Sequence, residues 1–200
     1  FSGQKPVQVQ NAAVPGFTCP QSSIQLDRVV ASFPPDILVL YQMNTDATRV
    51  ESHDKVGLIG LSPFLLETGL GRLAIAAASA YRPQRARERV SLSRYKRCIE
   101  GMLKQQAARQ ARSLLVIPVS RFDFGKPVGF EHPGMGALAN YRAAVRSLGI
   151  KHNVPVLDMP ATVQRLKLKA SEHLIDEVHP TEKGHAFIAD SIANLLRSQL

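Results

Sequence analysis

Short apolar runs alternate along this chain with longer stretches in which apolar residues recur at helical spacing. DILVLY at residues 36–41, SLLVIPV at 113–119 and VPVLDM at 154–159 predict strands, the first two near-continuous apolar runs of the kind buried on both faces of a sheet. PVQVQN at residues 6–11 predicts a first short strand. SSIQLDRVVASF at 22–33 sets Ile24, Leu26, Val29, Val30 and Phe33 on one helical face, with Ser22 or Ser23 as its cap. Further helices are expected from about 90 to 112, over NYRAAVRSLGIKH at 140–152, and from about 181 to 199. Strands separated by helices argue for an α/β fold with a parallel sheet. The loops GFTCPQ, QMNTDATRVESHDK and SRFDFGKPVGFEHPGMG follow strand ends, where open parallel sheets bind ligands.

Two hundred residues suffice for one full hydrophobic core, so residues 1–200 are expected to form a single unit. An apolar share of 44% with 20% charged residues is that of a folded soluble protein. The stretch at residues 56–81 is long and apolar, but Pro63, Glu67, Arg72 and four glycines favour a buried or flap-like helical insert over a membrane span. The formal charge is +9, and the excess of Lys and Arg is concentrated at residues 82–112. That excess reads either as a solvated helix face or as attraction to an anionic surface, polysaccharide or nucleic acid. The absence of Trp and of aromatics interleaved with the cations argues against nucleic acid. Cys19 and Cys98 match no metal or redox spacing and are either a disulfide of an exported protein or two buried thiols. The compartment stays open, with a periplasmic or secreted location favoured.

The candidate chemistry lies near the C-terminus, in LIDEVHPTEKGHAFIADSIANLL. Pro180, Thr181 and Glu182 are explained by helix entry: a small hydroxyl cap, a proline and an acid at the positive end of the dipole. Asp176 and His179, three residues apart, are not. An imidazole acting as general base needs its other ring nitrogen held by an acceptor, and this spacing lets a loop fold the carboxylate onto the ring. A metal set of Asp176, His179 and His185 is weaker, because the two histidines lack the i, i+4 spacing that presents both from one helix. Asn44 follows a strand, where a turn or a side-chain donor to an oxyanion both fit. Gly16 is either a loop glycine or a point where a backbone N–H approaches a substrate.

In their order, VQVQNAAVPGFT, DILVLYQMNTD, LLVIPV, a Tyr-led helix before VPVLDM, and the Asp176-x-x-His179-Pro-Thr-x-x-Gly-His185 stretch resemble the SGNH, or GDSL-type, hydrolases from about Val7 onward. The resemblance implies a flavodoxin-like three-layer α/β/α sandwich and metal-free ester hydrolysis or acyl transfer on a small-molecule or carbohydrate ester. It makes His179 the base, Asp176 its orienting carboxylate, and Gly16 and Asn44 the oxyanion donors, with Thr181 and His185 structural and no cofactor. Two departures stand out. Gln42-Met43-Asn44-Thr45 replaces the family's Gly-x-Asn-Asp, so Gln42 is expected to reshape the pocket. The family's Gly-Asp-Ser block has no counterpart either: only FSGQK precedes residue 6, Ser2 lacks the aspartate and the helix, and Ser22, Ser23 and Ser62 read as cap or insert residues. The chain opens on Phe1 rather than Met, and the first strand, helix and serine block are expected upstream. The rival reading is a non-catalytic SGNH-like module that binds an anionic or acylated polysaccharide.

Overall fold

The computed structural model describes residues 7–50, 87–130 and 136–199. In chain order the elements are α1 (Cys19–Ser32), β1 (Ile37–Tyr41), α2 (Asn44–Ala47), β2 (Arg49–Val50), β3 (Arg87–Glu88), α3 (Leu92–Ala108), β4 (Arg112–Ile117), α4 (Gly136–His152), β5 (Val156–Asp158), α5 (Met159–Arg165), α6 (Ala170–His173) and α7 (Glu182–Gln199). A 3-10 turn, Arg121–Asp123, follows β4. The expected insert at 56–81, Ser2 and Ser62 lie outside the described residues. The segment that contains the insert departs and returns through the antiparallel pair β2–β3, with Arg49 opposite Glu88 and Val50 opposite Arg87.

The fold is α/β: a parallel three-stranded sheet in the order β1-β4-β5, with helices on both faces. Successive residues of β4 point to opposite faces, as the two-residue period of a strand requires. Leu115 and Ile117 join Leu26 and Val30 of α1, Ile99 and Met102 of α3, and Val145 and Leu148 of α4 in one core. Leu114 and Val116 join Met159 and Val163 of α5, with Phe187, Ile188 and Ile192 of α7 packed against them, in the other. Each fully buried aliphatic side chain contributes about 1.5–3 kcal/mol, so β4, covered on both sides, anchors the domain.

Three expectations need correction. Residues 7–11 form no strand; Val7 and Val9 are 61% and 84% exposed, because among the described residues no neighbouring strand offers them a hydrogen-bonding ladder. The first helix begins at Cys19, three residues before Ser22. Thr18 is the N-cap, forming a capping box with Gln21, and Pro20 sits in the first turn, where its missing N–H costs nothing. β1 is not buried on both faces. Leu40 is buried, but Val39 and Tyr41 are 37% and 41% exposed, although they pair in register with the fully buried Leu114 and Val116. The α7 side of β1 is thus uncovered, and among the described residues β1 is also a sheet edge.

Cys19 and Cys98 form a disulfide that staples the start of α1 to α3 across 79 residues of chain. Closing a loop of that length removes denatured-state entropy worth about 4 kcal/mol. A buried ion pair is the other fixed point. Arg142 of α4 reaches Asp123 through two hydrogen bonds, Nη1 to Oδ1 at 2.8 Å and Nη2 to Oδ2 at 2.7 Å, with both side chains 1% exposed. Arg142→Met strands the Asp123 carboxylate in the core and is expected to cost about 3–5 kcal/mol in urea denaturation; a loss below 1 kcal/mol would show that the pair is not structural.

Candidate active site

The carboxyl ends of β1 and β4 and the loop before α7 converge at one end of the sheet, where parallel α/β folds place their sites. The loop from Leu174 to Thr181 is built almost entirely from its own backbone. Leu174 and Pro180 form an antiparallel bridge, the Ile175 N–H donates to the His179 carbonyl at 2.8 Å, and the Thr181 N–H donates to the His173 carbonyl at 3.0 Å. The Thr181 hydroxyl accepts from the Gly184 N–H at 3.0 Å, the expected cap, and donates to the Glu172 carbonyl at 2.8 Å. Gly184 is demanded by contact: a Cβ there would sit 2.1 Å from the His173 carbonyl oxygen. His173, buried between Phe124 and Phe187, anchors this loop through its own Nδ1, 3.0 Å from the Lys169 carbonyl.

Within this frame Asp176 and His179 meet. Asp176 Oδ2 lies 2.7 Å from His179 Nδ1, while Oδ1 accepts the N–H groups of Val178 and His179, both at 2.9 Å. These two backbone donors, and then the imidazole, hold the Asp176 carboxyl far below the usual carboxylate range. An ionised carboxylate only accepts hydrogen bonds, so the Nδ1 that faces it carries a proton, and in the neutral ring Nε2 then presents a lone pair. The His179 side chain is 73% exposed and so reachable by a ligand. The stability that this network confers is present above the ordinary Asp pKa and is lost as pH falls through the depressed value.

Gly16 and Asn44 sit on two neighbouring loops. Gly16 has φ +78°, a left-handed turn that disfavours any side chain. Asn44 opens α2, and its carbonyl accepts from both the N–H and the hydroxyl of Thr48. The loops are tied together by Gln42, whose Nε2 donates to the Phe17 carbonyl at 3.4 Å, and by buried Asp46, whose Oδ1 accepts the Cys19 N–H at 2.8 Å. Among the described residues neither the Gly16 N–H nor the Asn44 side-chain amide N–H has an acceptor. Tyr95 donates to the Gln42 carbonyl at 2.8 Å and Tyr141 to the Val90 carbonyl, their rings 5.0 Å apart. Burial raises both hydroxyl pKa values, that of Tyr141 to about 12, so both remain donors.

The structure thus brings Asp176 and His179 into direct contact, and the Gly16 and Asn44 loops together. His185 is exposed and its N–H takes part in the helix start, donating to the Thr181 carbonyl; among the described residues its ring makes no hydrogen bond. Among the described residues no three His, Cys, Asp or Glu side chains are grouped to hold a metal ion. Ser22 and Ser23 lie inside α1. Sequence reasoning missed Asp46 and the Arg142–Asp123 pair. For Arg142 a signal existed, since helical spacing sets it on the stripe of Leu138, Val145 and Gly149.

No protein-family model matches the sequence, and no curated protein does. Solved structures do match in fold. The acetyl xylan esterase AlAXEase superposes with TM-score 0.60 at 15% identity over 91% of this chain and 77% of its own. Axe2, an acetylxylan esterase from Geobacillus stearothermophilus, gives TM-score 0.59 at 15% identity over 90% and 67%. LAE5, an alpha/beta hydrolase enzyme from the metagenome of Lake Arreo, gives 0.58 at 13% over 88% and 66%. This chain therefore spans two thirds to three quarters of the length of these enzymes and shares their fold.

Two outcomes test the loop. Gly184→Ala is expected to cost about 1–3 kcal/mol in urea denaturation through the clash at His173; an unchanged midpoint would mean the backbone yields freely. In Asp176→Asn, Oδ1 still accepts the two backbone N–H groups but an amide N–H faces the ring. Long-range nitrogen–proton NMR should then find the His179 proton moved from Nδ1 to Nε2. A proton that stays on Nδ1 would sever the inferred link between the two residues.

Proposed function

We propose that this chain carries the base and the oxyanion donors of a serine-type ester hydrolase or acyltransferase of the SGNH type. The observation that carries this reading is the Asp176–His179 hydrogen bond of 2.7 Å at the carboxyl end of a parallel sheet, in a fold shared with acetyl xylan esterases. In the reaction a serine Oγ attacks the acyl carbonyl and His179 Nε2 takes its proton. The tetrahedral oxyanion receives hydrogen bonds from the Gly16 N–H and the Asn44 amide, each worth on the order of 3 kcal/mol. The C–O bond to the alcohol then breaks, and His179 returns the proton to the departing oxygen. Water, or an acceptor alcohol, repeats the sequence on the acyl-enzyme, and Asp176 holds the imidazolium throughout.

The 200 residues contain no Gly-Asp-Ser sequence. In this reading the nucleophile rides on a strand and helix outside them, which dock against the open edge of β1 and cover Val39 and Tyr41. Supporting this are the free edge among the described residues, the two exposed side chains beside buried neighbours, and the longer chains of the matched esterases. The substrate class is a carbohydrate ester, since Axe2 is an acetyl-xylooligosaccharide esterase. The Cys19–Cys98 disulfide supports an oxidising compartment, periplasmic or extracellular.

His179→Ala in the full-length protein is expected to lower turnover of a short p-nitrophenyl ester by on the order of 10⁴-fold or more. Undiminished turnover ends the reading. Glycan binding without turnover, and without covalent labelling by a fluorophosphonate, would instead identify a non-catalytic binding module.

A further inference from the structure

We infer that Ile175 selects the alcohol half of the ester at this site: its side chain receives the C–H face of a sugar ring whose esterified oxygen lies at His179 Nε2. The inference rests on the hydrolase reading and deepens it.

The register of the loop places Ile175 beside the base. Leu174 and Pro180 form an antiparallel bridge, and the Ile175 N–H donates to the His179 carbonyl, so the next opposed pair is Ile175 and His179. Directly opposed residues of an antiparallel pair send their side chains to the same face, and successive residues alternate between faces. Burial follows that alternation. Leu174 is 3% exposed and belongs to the core, while Ile175 is 71% exposed and the His179 side chain 73%. Ile175 and the imidazole therefore share the outer face of the loop.

Exposure alone distinguishes nothing, since Val128 and Ile150 are exposed too and single surface aliphatics are common. What sets Ile175 apart is the residue it opposes. A position paired across a bridge suits a β-branched side chain, but Thr would serve it equally and would be better solvated. The local backbone accounts for the branching at 175 and leaves the apolar character unexplained. The residues that follow, Asp176 and Glu177, are exposed acids, so the aliphatic chain joins no apolar cluster of the loop itself.

The stereochemistry of the reaction decides what meets this side chain. The tetrahedral carbon carries the serine oxygen, the oxyanion, the alcohol oxygen and the acyl group. His179 Nε2 takes the proton of the first and returns it to the third, so both of these oxygens face the imidazole. The oxyanion turns to the Gly16 and Asn44 donors, and the acyl group takes the remaining direction, away from the base. The group that lies along Ile175 is therefore the alcohol. An aliphatic side chain offers no hydrogen bond and binds only through apolar area, and in a polyhydroxylated alcohol that area is the C–H face of a pyranose ring. Glycerol, a flexible polyol, presents no such face.

The test compares monoacetylated methyl xyloside with monoacetylated glycerol as substrates of the full-length protein, so that the acyl group is constant and the alcohol varies. The unmodified protein should prefer the xyloside in kcat/KM. Ile175→Ala should lower that preference on the order of tenfold, chiefly through KM. Ile175→Val should retain most of it, whereas Ile175→Thr, which keeps the shape of Val and loses a methyl to a hydroxyl, should fall with the Ala variant. The ratio of p-nitrophenyl acetate to p-nitrophenyl butyrate turnover reads the acyl side and should stay constant across all four proteins. No preference in the unmodified protein, a preference that survives in the Ala and Thr variants, or a change confined to the acyl ratio overturns the inference. So does a lowered melting midpoint in Ile175→Ala, which would show that the protein itself covers the side chain. Absent turnover of every ester by the unmodified protein removes the hydrolase reading and this inference together, whereas turnover with an unmoved alcohol preference removes the inference alone.

Discussion

The buried pair of Arg142 and Asp123 decides where the candidate site can sit. Asp123 Oδ2 also accepts the N–H and hydroxyl of Ser120, at 2.7 and 3.0 Å, so one carboxylate closes the turn that leaves β4 and ties it to α4. Removing such a pair from water is costly, and attraction repays the cost only in good geometry, which here is bidentate and nearly solvent-free. The turn so fixed contains Arg121, whose N–H holds the Glu177 carbonyl in the middle of the loop that carries Asp176 and His179. Any shift of α4 against β4 would therefore be carried to Asp176 and His179.

The two halves of the site are made rigid by different means. The His179 half is exposed and has little side-chain packing. It depends on backbone hydrogen bonds, on the Thr181 cap and on the bare Cα of Gly184 resting against the His173 carbonyl. The Gly16 and Asn44 half is held by buried side chains: Asp46 on the Cys19 N–H, Tyr95 on the Gln42 carbonyl, and the disulfide one residue beyond Thr18. The Gln42 side chain bridges this frame to the Phe17 carbonyl.

Charge is distributed in a pattern that composition conceals. A net charge of +9 is compatible with general solubility. The pairing pattern adds to this, because Glu100 pairs with Lys104 and Lys151, whereas Arg94, Lys96 and Arg97 have no ion-pair partner among the described residues.

Local chemistry was legible in the sequence. The runs at 36–41, 113–119 and 154–159 became the three parallel strands, and Thr181 became the cap of the last helix. The Asp176–His179 spacing anticipated a contact of 2.7 Å, because three residues of loop leave few other places for those side chains. What required distant segments was not legible. Residues 7–11 had the composition of a strand but no partner among the described residues, and whether β1 was covered on both faces depended on which element lies over it. The pairing of Cys19 with Cys98, the burial of Arg142 against Asp123, and the hydrogen bond from Tyr95 of α3 to the Gln42 carbonyl join residues many turns apart. Residue spacing governs neighbours within a few bonds, whereas these contacts are set by how helices pack across a shared sheet, and that only the tertiary structure decided.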